Sequence, residues 1–327
     1  MNVRDVTRSV KEEGLSVGFC KVGVARAESL TEEGLRLQEW LARGYHGTMD
    51  WMARNAERRT DPQTILPGAK SVIVAAMNYY TDVRHVDRPR RGPRPQGGPW
   101  PDTGKVSRYA WGEDYHEVVR ERLERLRRHV RSLLPDARVK LYVDTGPVLE
   151  KAWAVRAGIG WLGKHTNVIT RDFGSWIFLG ELILDHELEY DAPMADYCGS
   201  CTSCIEACPT GAIVQPYVLD SNRCISYLTV EYRGETIPED LASKSERWVY
   251  GCDICQDVCP WNVKFSQPTA EHRFQPRSGN VAPLLEELAS MSREAYEKQY
   301  RKSAMKRAKY EGLVRNARAV SRKPVEA

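Results

Sequence analysis

No run of this 327-residue chain is apolar for long enough to cross a bilayer, and its opening stretch, MNVRDVTRSVKEEG, is a charged amphipathic helix without the apolar core of a secretory signal. An α-helical membrane span is thereby excluded, and a cytoplasmic protein with no membrane partner is expected. Internal repeats are absent too, so the chain divides into ordinary domains. Cysteine is almost missing from the first 197 residues, where Cys20 stands alone on an apolar strand as an inert core thiol; the other eight fall between positions 198 and 259. A reducing cytoplasm rules against disulfides, so a group this dense reads as a metal-binding set. Acid is almost missing from the far end, where nine lysines and arginines between Arg301 and Lys323 face one acid, Glu311. The overall charge of +4 excludes little, but a basic segment of this kind suits phosphate.

With 42% hydrophobic and 28% charged residues, the chain can build one large or two moderate cores. Strands are predicted over 17–26, 71–80, 138–146 and 175–185, and helices over 31–44, 117–134 and 147–158, the last opened by Pro147. The segment from Glu117 to Leu134 carries Val119, Leu123, Leu126, Val130 and Leu133 on one stripe with arginines opposite, and Pro135 stops it. Alternating elements of this kind predict an α/β (α+β) domain. Between strand and helix, RPRRGPRPQGGPWPDTGK (88–105) reads as a long loop. From about residue 190 the texture turns to cysteine-rich loops, and from about 280 it becomes helical.

Cys198, Cys201, Cys204 and Cys208-Pro209 reproduce C-x2-C-x2-C-x3-C-P, the bacterial ferredoxin run, in which three thiolates wrap one [4Fe–4S] cube and the fourth reaches another. The second half follows as Cys252-x2-Cys255-x3-Cys259-Pro260, lacking its first ligand, and Cys224 is the one cysteine left nearby. By the crossing rule, one cluster takes Cys198, Cys201, Cys204 and Cys259, and the other Cys208, Cys224, Cys252 and Cys255. Zinc is the structural alternative, but zinc knuckles are usually paired C-x2-C units set well apart, and a third cysteine three residues on suits a cube. Two clusters make an electron wire, which must end at another redox centre. Gly158-x-Gly160-x-x-Gly163 matches a dinucleotide fingerprint in letters only, because a helix precedes it where a strand is required.

Six blocks in order then carry a resemblance: RRTDPQTILPGAKSVIV (58–74), SRYAWGEDYHEVV (107–119), VDTGPVLEKAWAVRAGIGWLGKHTNVIT (143–170), GSWIFLGEL (174–182), the eight cysteines, and RCISYLT (223–229). Over most of residues 1 to 265 the chain resembles the epoxyqueuosine reductases. The resemblance implies a cobalamin-dependent enzyme that removes the epoxide oxygen of epoxyqueuosine in tRNA, the last step of queuosine synthesis. It implies a cobalamin-binding domain over 1–190, a two-cluster ferredoxin-like domain over 191–265 and a basic helical segment over 266–327. Its partners would be the anticodon loop and an external electron donor such as flavodoxin or ferredoxin with its reductase, and the chain would work as a monomer.

The same resemblance assigns roles. Asp144, at the end of KLYVD, would be the catalytic acid, its pKa raised by burial so that it stays protonated near neutral pH; as a bare feature it is an Asx-turn residue. Arg59 would pair with a corrin propionamide or phosphate oxygen, and Ser107, Arg108, Tyr109, His116, Lys164, Asn167 and Val168 would face cofactor or substrate. Asp114 and Tyr115 join the cluster that opens the long helix. His116 fits a hydrogen-bonded wall residue better than an axial cobalt ligand. Ser226, two residues after Cys224, would lie between cluster and corrin. Where the family commonly has arginine the chain has Lys151, which keeps the charge and loses the bidentate fork. Longer members continue into helical repeats after a segment like RAKYEGLVRNARAV, close to where this chain ends. Two rivals share part of this wiring. A reductive dehalogenase type of enzyme would act on a small molecule without needing a basic C-terminus, and a plain electron-transfer module would need no buried acid.

Overall fold

The computed structural model describes residues 2–85 and 102–321. Most of the 88–105 loop, and Arg322 and Lys323 of the basic segment, lie outside the described residues. Helix α1 (Val3–Ser16) begins at Asn2, whose side chain accepts the Asp5 N–H, and ends where Gly18 turns the chain at φ +109°. That turn shortens the first expected strand to β1 (Lys21–Arg26). Helix α2 (Thr31–Ala42) stops just before Gly44, which takes φ +67°. Strand β2 (Ser71–Asn78) is buried along its whole length, as its continuous apolar run requires.

Helix α3 (Tyr115–Leu133) carries the predicted stripe, with Val119, Leu123, Leu126 and Val130 fully buried. It is followed by β3 (Val139–Tyr142), α4 (Glu150–Arg156) and β4 (Ile177–Leu184). The four strands form one sheet in the order β1-β2-β4-β3, and every pairing is antiparallel. Helices cover both faces of this antiparallel sheet, so the domain is α+β. Alternate residues of β2 divide the core: Ile73, Ala75 and Met77 pack with α1 and α3, while Val72, Val74 and Ala76 pack with Trp153 and Ala154 of α4. Among the described residues no helix is long and apolar enough to cross a membrane.

The cysteine-rich part holds only short elements, which put thiols at helix ends. Cys224 caps α5 (Ile225–Val230), and Cys259 caps a helix over Pro260–Phe265 with its proline at the first position, where a missing N–H costs nothing. The C-terminal part is not a separate body. Helix α6 (Lys309–Ser321) shares a core with Val106, Ala110, Trp111, Val249 and Tyr250, and the short strands Lys105–Val106 and Trp248–Tyr250 pair in parallel beneath it.

Leu123 tests the packing of α3 on the sheet. Its side chain is fully buried and lies where a Cβ on Gly180 of β4 would come within 2.5 Å of it. Leu123→Ala should therefore destabilise the fold by about 2–5 kcal/mol in chemical denaturation.

Candidate active site and cluster cavities

Between β3 and α4 the chain runs irregularly over 143–149, and helix α4 starts at Glu150 rather than at Pro147. Asp144 sits in this loop at φ +55°, a left-handed conformation that aspartate tolerates better than most residues. The Glu150 carboxyl fixes that turn by accepting the Asp144 N–H. The Asp144 side chain faces a cavity of about 1540 Å³, lined also by Tyr115, His116, Glu150, Lys151 and by Arg58, Arg120, Lys306, Arg307 and Lys309.

Asp144 does not titrate as expected. Burial favours the neutral acid, but Oδ2 lies 3.0 Å from His116 Nε2 and accepts the Tyr115 hydroxyl at 2.8 Å, and these bonds hold its pKa below the ordinary carboxylate value. The proton sits on His116 instead. Burial opposes the imidazolium, yet the ring is flanked by Asp144 and by Asp114, whose Oδ1 is 2.7 Å from Nδ1, and its pKa rises to about 9. Asp114 in turn, although buried, is held well below the carboxylate range by His116 and by Lys306, whose Nζ is 2.7 Å from Oδ2. Beneath the loop, burial and the Asp144 charge push Glu150 up to about 7, and fully buried Glu181 is raised further by burial and by Glu150.

The structure sorts the eight thiols into two sets. Cys198, Cys201, Cys204 and Cys259 surround a small cavity of about 190 Å³, whereas Cys208, Cys224, Cys252 and Cys255 lie in the wall of the large one. All are free thiols. Each set supplies the four thiolates that a [4Fe–4S] cube takes at its corners. A hairpin, Trp161–Leu162 with Val168–Ile169, stands between the two sets, and His165 in its turn lines both cavities. Burial and Lys151 lower the His165 pKa to about 4. Its Nδ1 accepts the Asn167 N–H at 3.2 Å, so the remaining proton is on Nε2, which is buried without a partner among the described residues.

The other expected contacts divide. Arg59, Ser107, Tyr109, Asn167, Val168 and Ser226 line the large cavity; Arg108 and Lys164 do not. The Arg108 guanidinium lies behind the wall, 3.3 Å from Asp253 and 3.2 Å from Asp257, and 4.6 Å from the Trp176 ring centre. Lys164 Nζ is committed to the carbonyls of Gly199 and Cys201 at 2.6 and 2.9 Å, beside the small cavity. Lys151 Nζ bonds Thr166 O at 3.0 Å and Asn167 Oδ1 at 2.9 Å, so a single ammonium clasps the hairpin turn. Arg59 is buried, its Nε has no partner among the described residues, and burial lowers its pKa. The glycines of the false fingerprint have backbone duties: Gly158 turns out of α4 at φ +67°, and a Cβ on Gly160 would meet Ile169 O at 2.1 Å. Cys20 donates to Ala76 O at 3.2 Å, and burial raises its pKa to about 11.

The family model described as epoxyqueuosine reductase QueG, DUF1730, matches residues 59–145, and a 4Fe-4S double cluster binding domain matches 197–262. An epoxyqueuosine reductase from Synechocystis is 48% identical over 288 residues, 88% of this chain and 95% of that one. The chain belongs to the epoxyqueuosine reductase family. The Escherichia coli epoxyqueuosine reductase is 41% identical over 97% of this chain and 80% of that one. A crystal structure of an epoxyqueuosine reductase with an epoxyqueuosine-modified tRNA-Tyr stem loop superimposes with a TM-score of 0.86 at 33% identity, covering 98% of this chain and 81% of that one. A structure of the epoxyqueuosine reductase from Bacillus subtilis, with a catalytic loop swung out of the active site, gives 0.84 at 32% identity over 98% of this chain and 82% of that one.

Sequence reasoning missed four features in and behind this cavity: Glu150, Glu181, His165 and the contact of Lys306 with Asp114. Glu150, His165 and Glu181 all lay inside blocks of the resemblance, Glu181 as a residue of a strand, whereas Lys306 reads as part of a phosphate-binding tail. The thiol sets predict that Cys259→Ala removes the cluster of Cys198, Cys201 and Cys204, which lie over fifty residues away in sequence, and spares that of its neighbours Cys252 and Cys255. Iron content should fall from about eight to about four per chain, with one set of cluster signals retained in electron paramagnetic resonance.

Proposed function

We propose that this chain reduces epoxyqueuosine in the anticodon loop of tRNA to queuosine, with Asp144 as the group that hands protons to the epoxide oxygen. One observation carries the reading: Asp144 and the thiols of Cys208, Cys224, Cys252 and Cys255 face the same large cavity. Protons reach that space from one wall and electrons from another. Reduction of an epoxide to an alkene consumes two electrons and two protons and releases the oxygen as water, so both supplies are required.

Cobalamin, when bound there, supplies a low-valent cobalt as the reductant at carbon. The residues fit such a group. The cavity exceeds the roughly 300–1,000 Å³ of ordinary small-molecule sites, and the orphaned Nε of Arg59 is suited to an amide or phosphate oxygen. Ser107, Tyr109, Asn167, Val168 and Ser226 would complete the cradle, Ser226 beside Cys224. Arg108 and Lys164 act one layer back, on the cysteine loops. The cluster of Cys198, Cys201, Cys204 and Cys259 would receive single electrons from a flavodoxin- or ferredoxin-like donor, and the chain would act as a monomer in the cytoplasm.

For tRNA, Arg58, Arg120 and Lys309 are exposed at the cavity, where they can hold phosphates while the modified base, splayed from its loop, enters. Other basic residues of the tail serve the fold: Arg315 binds the carbonyls of Leu228, Tyr232 and Gly234, and Arg307 pairs with Glu231 at 2.7 and 2.8 Å. An electron-transfer module would have no use for the Asp144 network, and a small-molecule reductase none for the basic rim.

Asp144→Asn should leave both clusters and cofactor binding intact and lower turnover on epoxyqueuosine tRNA by roughly a hundredfold to ten-thousandfold. Near wild-type turnover would return Asp144 to a structural turn. Replacing Arg58, Arg120 and Lys309 together with glutamine should weaken tRNA binding and flatten its dependence on salt, raising KM more than it lowers kcat. Equal activity on the free nucleoside would favour a small-molecule substrate.

A further inference from the structure

A single carboxyl carries one proton at a time, and each epoxide reduced consumes two. The Tyr115 and His116 bonds hold the Asp144 pKa below the ordinary carboxylate value, so the carboxylate must be loaded before each delivery. The group placed to load it is His116. Its Nε2 is 3.0 Å from Asp144 Oδ2, while Asp114 holds the other edge of the ring, 2.7 Å from Nδ1, and also accepts the His116 backbone N–H at 3.2 Å. Packing fixes the ring: Tyr115 stacks on it at 4.0 Å and on Phe178 at 4.3 Å, and the same Tyr115 donates its hydroxyl to Asp144 Oδ2. The Asp114 side chain is 1% exposed, and its second oxygen is paired with Lys306. Lys306, Asp114, His116 and Asp144, all in the cavity wall, thus form an unbroken line from the basic C-terminal segment to the Asp144 carboxylate.

We propose that His116 is the relay residue of this enzyme, passing protons from its Nε2 through the Asp144 carboxylate to the epoxide oxygen, with Asp114 and Lys306 setting its position and charge. The first proton leaves Nε2 for Oδ2 and goes on to the oxygen as the first C–O bond opens, giving a hydroxyl. The imidazole regains a proton from cavity water. The second proton follows the same route as the hydroxyl departs, so that two electrons from the reduced cofactor and two protons yield the alkene and one water. The charged groups around His116 are Asp114 on its own turn, Asp144 from the loop after β3, Glu150 from α4, and Lys306 and Arg307 from the segment before α6. The two carboxylates in direct contact favour the imidazolium, whose pKa of about 9 keeps the relay loaded at neutral pH.

This proposal rests on Asp144 as the acid, which Asp144→Asn tests separately. His116→Gln retains an N–H donor toward Asp144 and loses the exchangeable proton. Single-turnover reduction of epoxyqueuosine tRNA should slow at least about tenfold at neutral pH, with iron content and tRNA affinity unchanged, and the fall in wild-type rate above about pH 9 should vanish. Asp114→Asn keeps the histidine and removes its charged partner, so that fall should move toward neutral pH. In the same variant an NMR titration of labelled His116, in oxidised cluster-loaded protein, should show its pKa lowered. A His116→Gln enzyme with a rate within about twofold of wild type and the same alkaline limb overturns the relay, while an Asp144→Asn loss in the same assay leaves the acid in place. A His116 already neutral at pH 7 overturns it equally.

Discussion

Everything the site does depends on a buried polar seam that fixes the cysteine-rich part against the sheet. Asn262 Oδ1 accepts the Ser175 N–H at 2.6 Å, and its Nδ2 donates to Ser175 Oγ and Gln256 O at 2.8 Å each. Gln256 Nε2 donates to Ser175 O and Oγ at 3.1 and 3.0 Å. Beside it, Asp253 accepts from the Ser107 hydroxyl and from the Arg108 N–H at 2.8 Å. Buried amides and carboxylates are costly unless every partner is in place, so such a seam tolerates one docking arrangement and penalises its neighbours. The residues on its cysteine side lie between or beside Cys252, Cys255 and Cys259. Docking therefore also places the thiols that face the large cavity, through hydrogen bonds of their sequence neighbours.

The proton side is built on an opposite balance. Asp144, Glu150 and Glu181 stand close together, and three carboxylates in one low-dielectric region cannot all be charged. Only Asp144 has cationic and hydroxyl partners, so it takes the charge, and Glu150 and Glu181 are driven toward the neutral acid. Glu150 remains useful in that state, because its carboxyl holds the backbone of the very residue whose charge raises its pKa. His116 links folding to pH in the same way. Its pKa is raised from about 6.5 to about 9, so its contribution to stability is full below the lower value and is lost as the pH climbs through the higher one.

The cysteine spacing carried the two thiol sets in the sequence, because ligand order along the chain follows from the crossing of two cubes. Strand and helix positions came through within a few residues, except where a turn claimed the ends: Gly18 cut the first strand, and the Asp144 loop delayed α4. Asp144 was visible as a residue, but its charge was not, since that depends on a histidine 28 positions away meeting it across a cavity. Arg108 and Lys164 sit next to cavity residues in sequence and point to its outer side, a difference of direction that periodicity alone does not resolve in irregular segments. The basic tail misled most. Arg315 and Arg307 are spent on carbonyls and on Glu231, because a C-terminal helix that closes a core must satisfy the chain ends it covers.

That use of the tail gives the C-terminal segment a second role. Residues 304–308 form a single short turn between Tyr300 and α6, with Met305 and Ala308 buried in the core that α6 shares with Val249 and Tyr250, and Lys309 leaves it at φ +64°. Lys306 projects from this turn to Asp114, so one ammonium ties the turn to the carboxylate behind His116. The same stretch presents Lys309 at the cavity mouth, where tRNA phosphates are proposed to lie. In the proposed reading, substrate grip and proton supply thus hang on neighbouring side chains of one turn. Loosening α6 would disturb the protonation of Asp144 before it disturbed the clusters, whose ligands are aligned by the separate seam through Asn262.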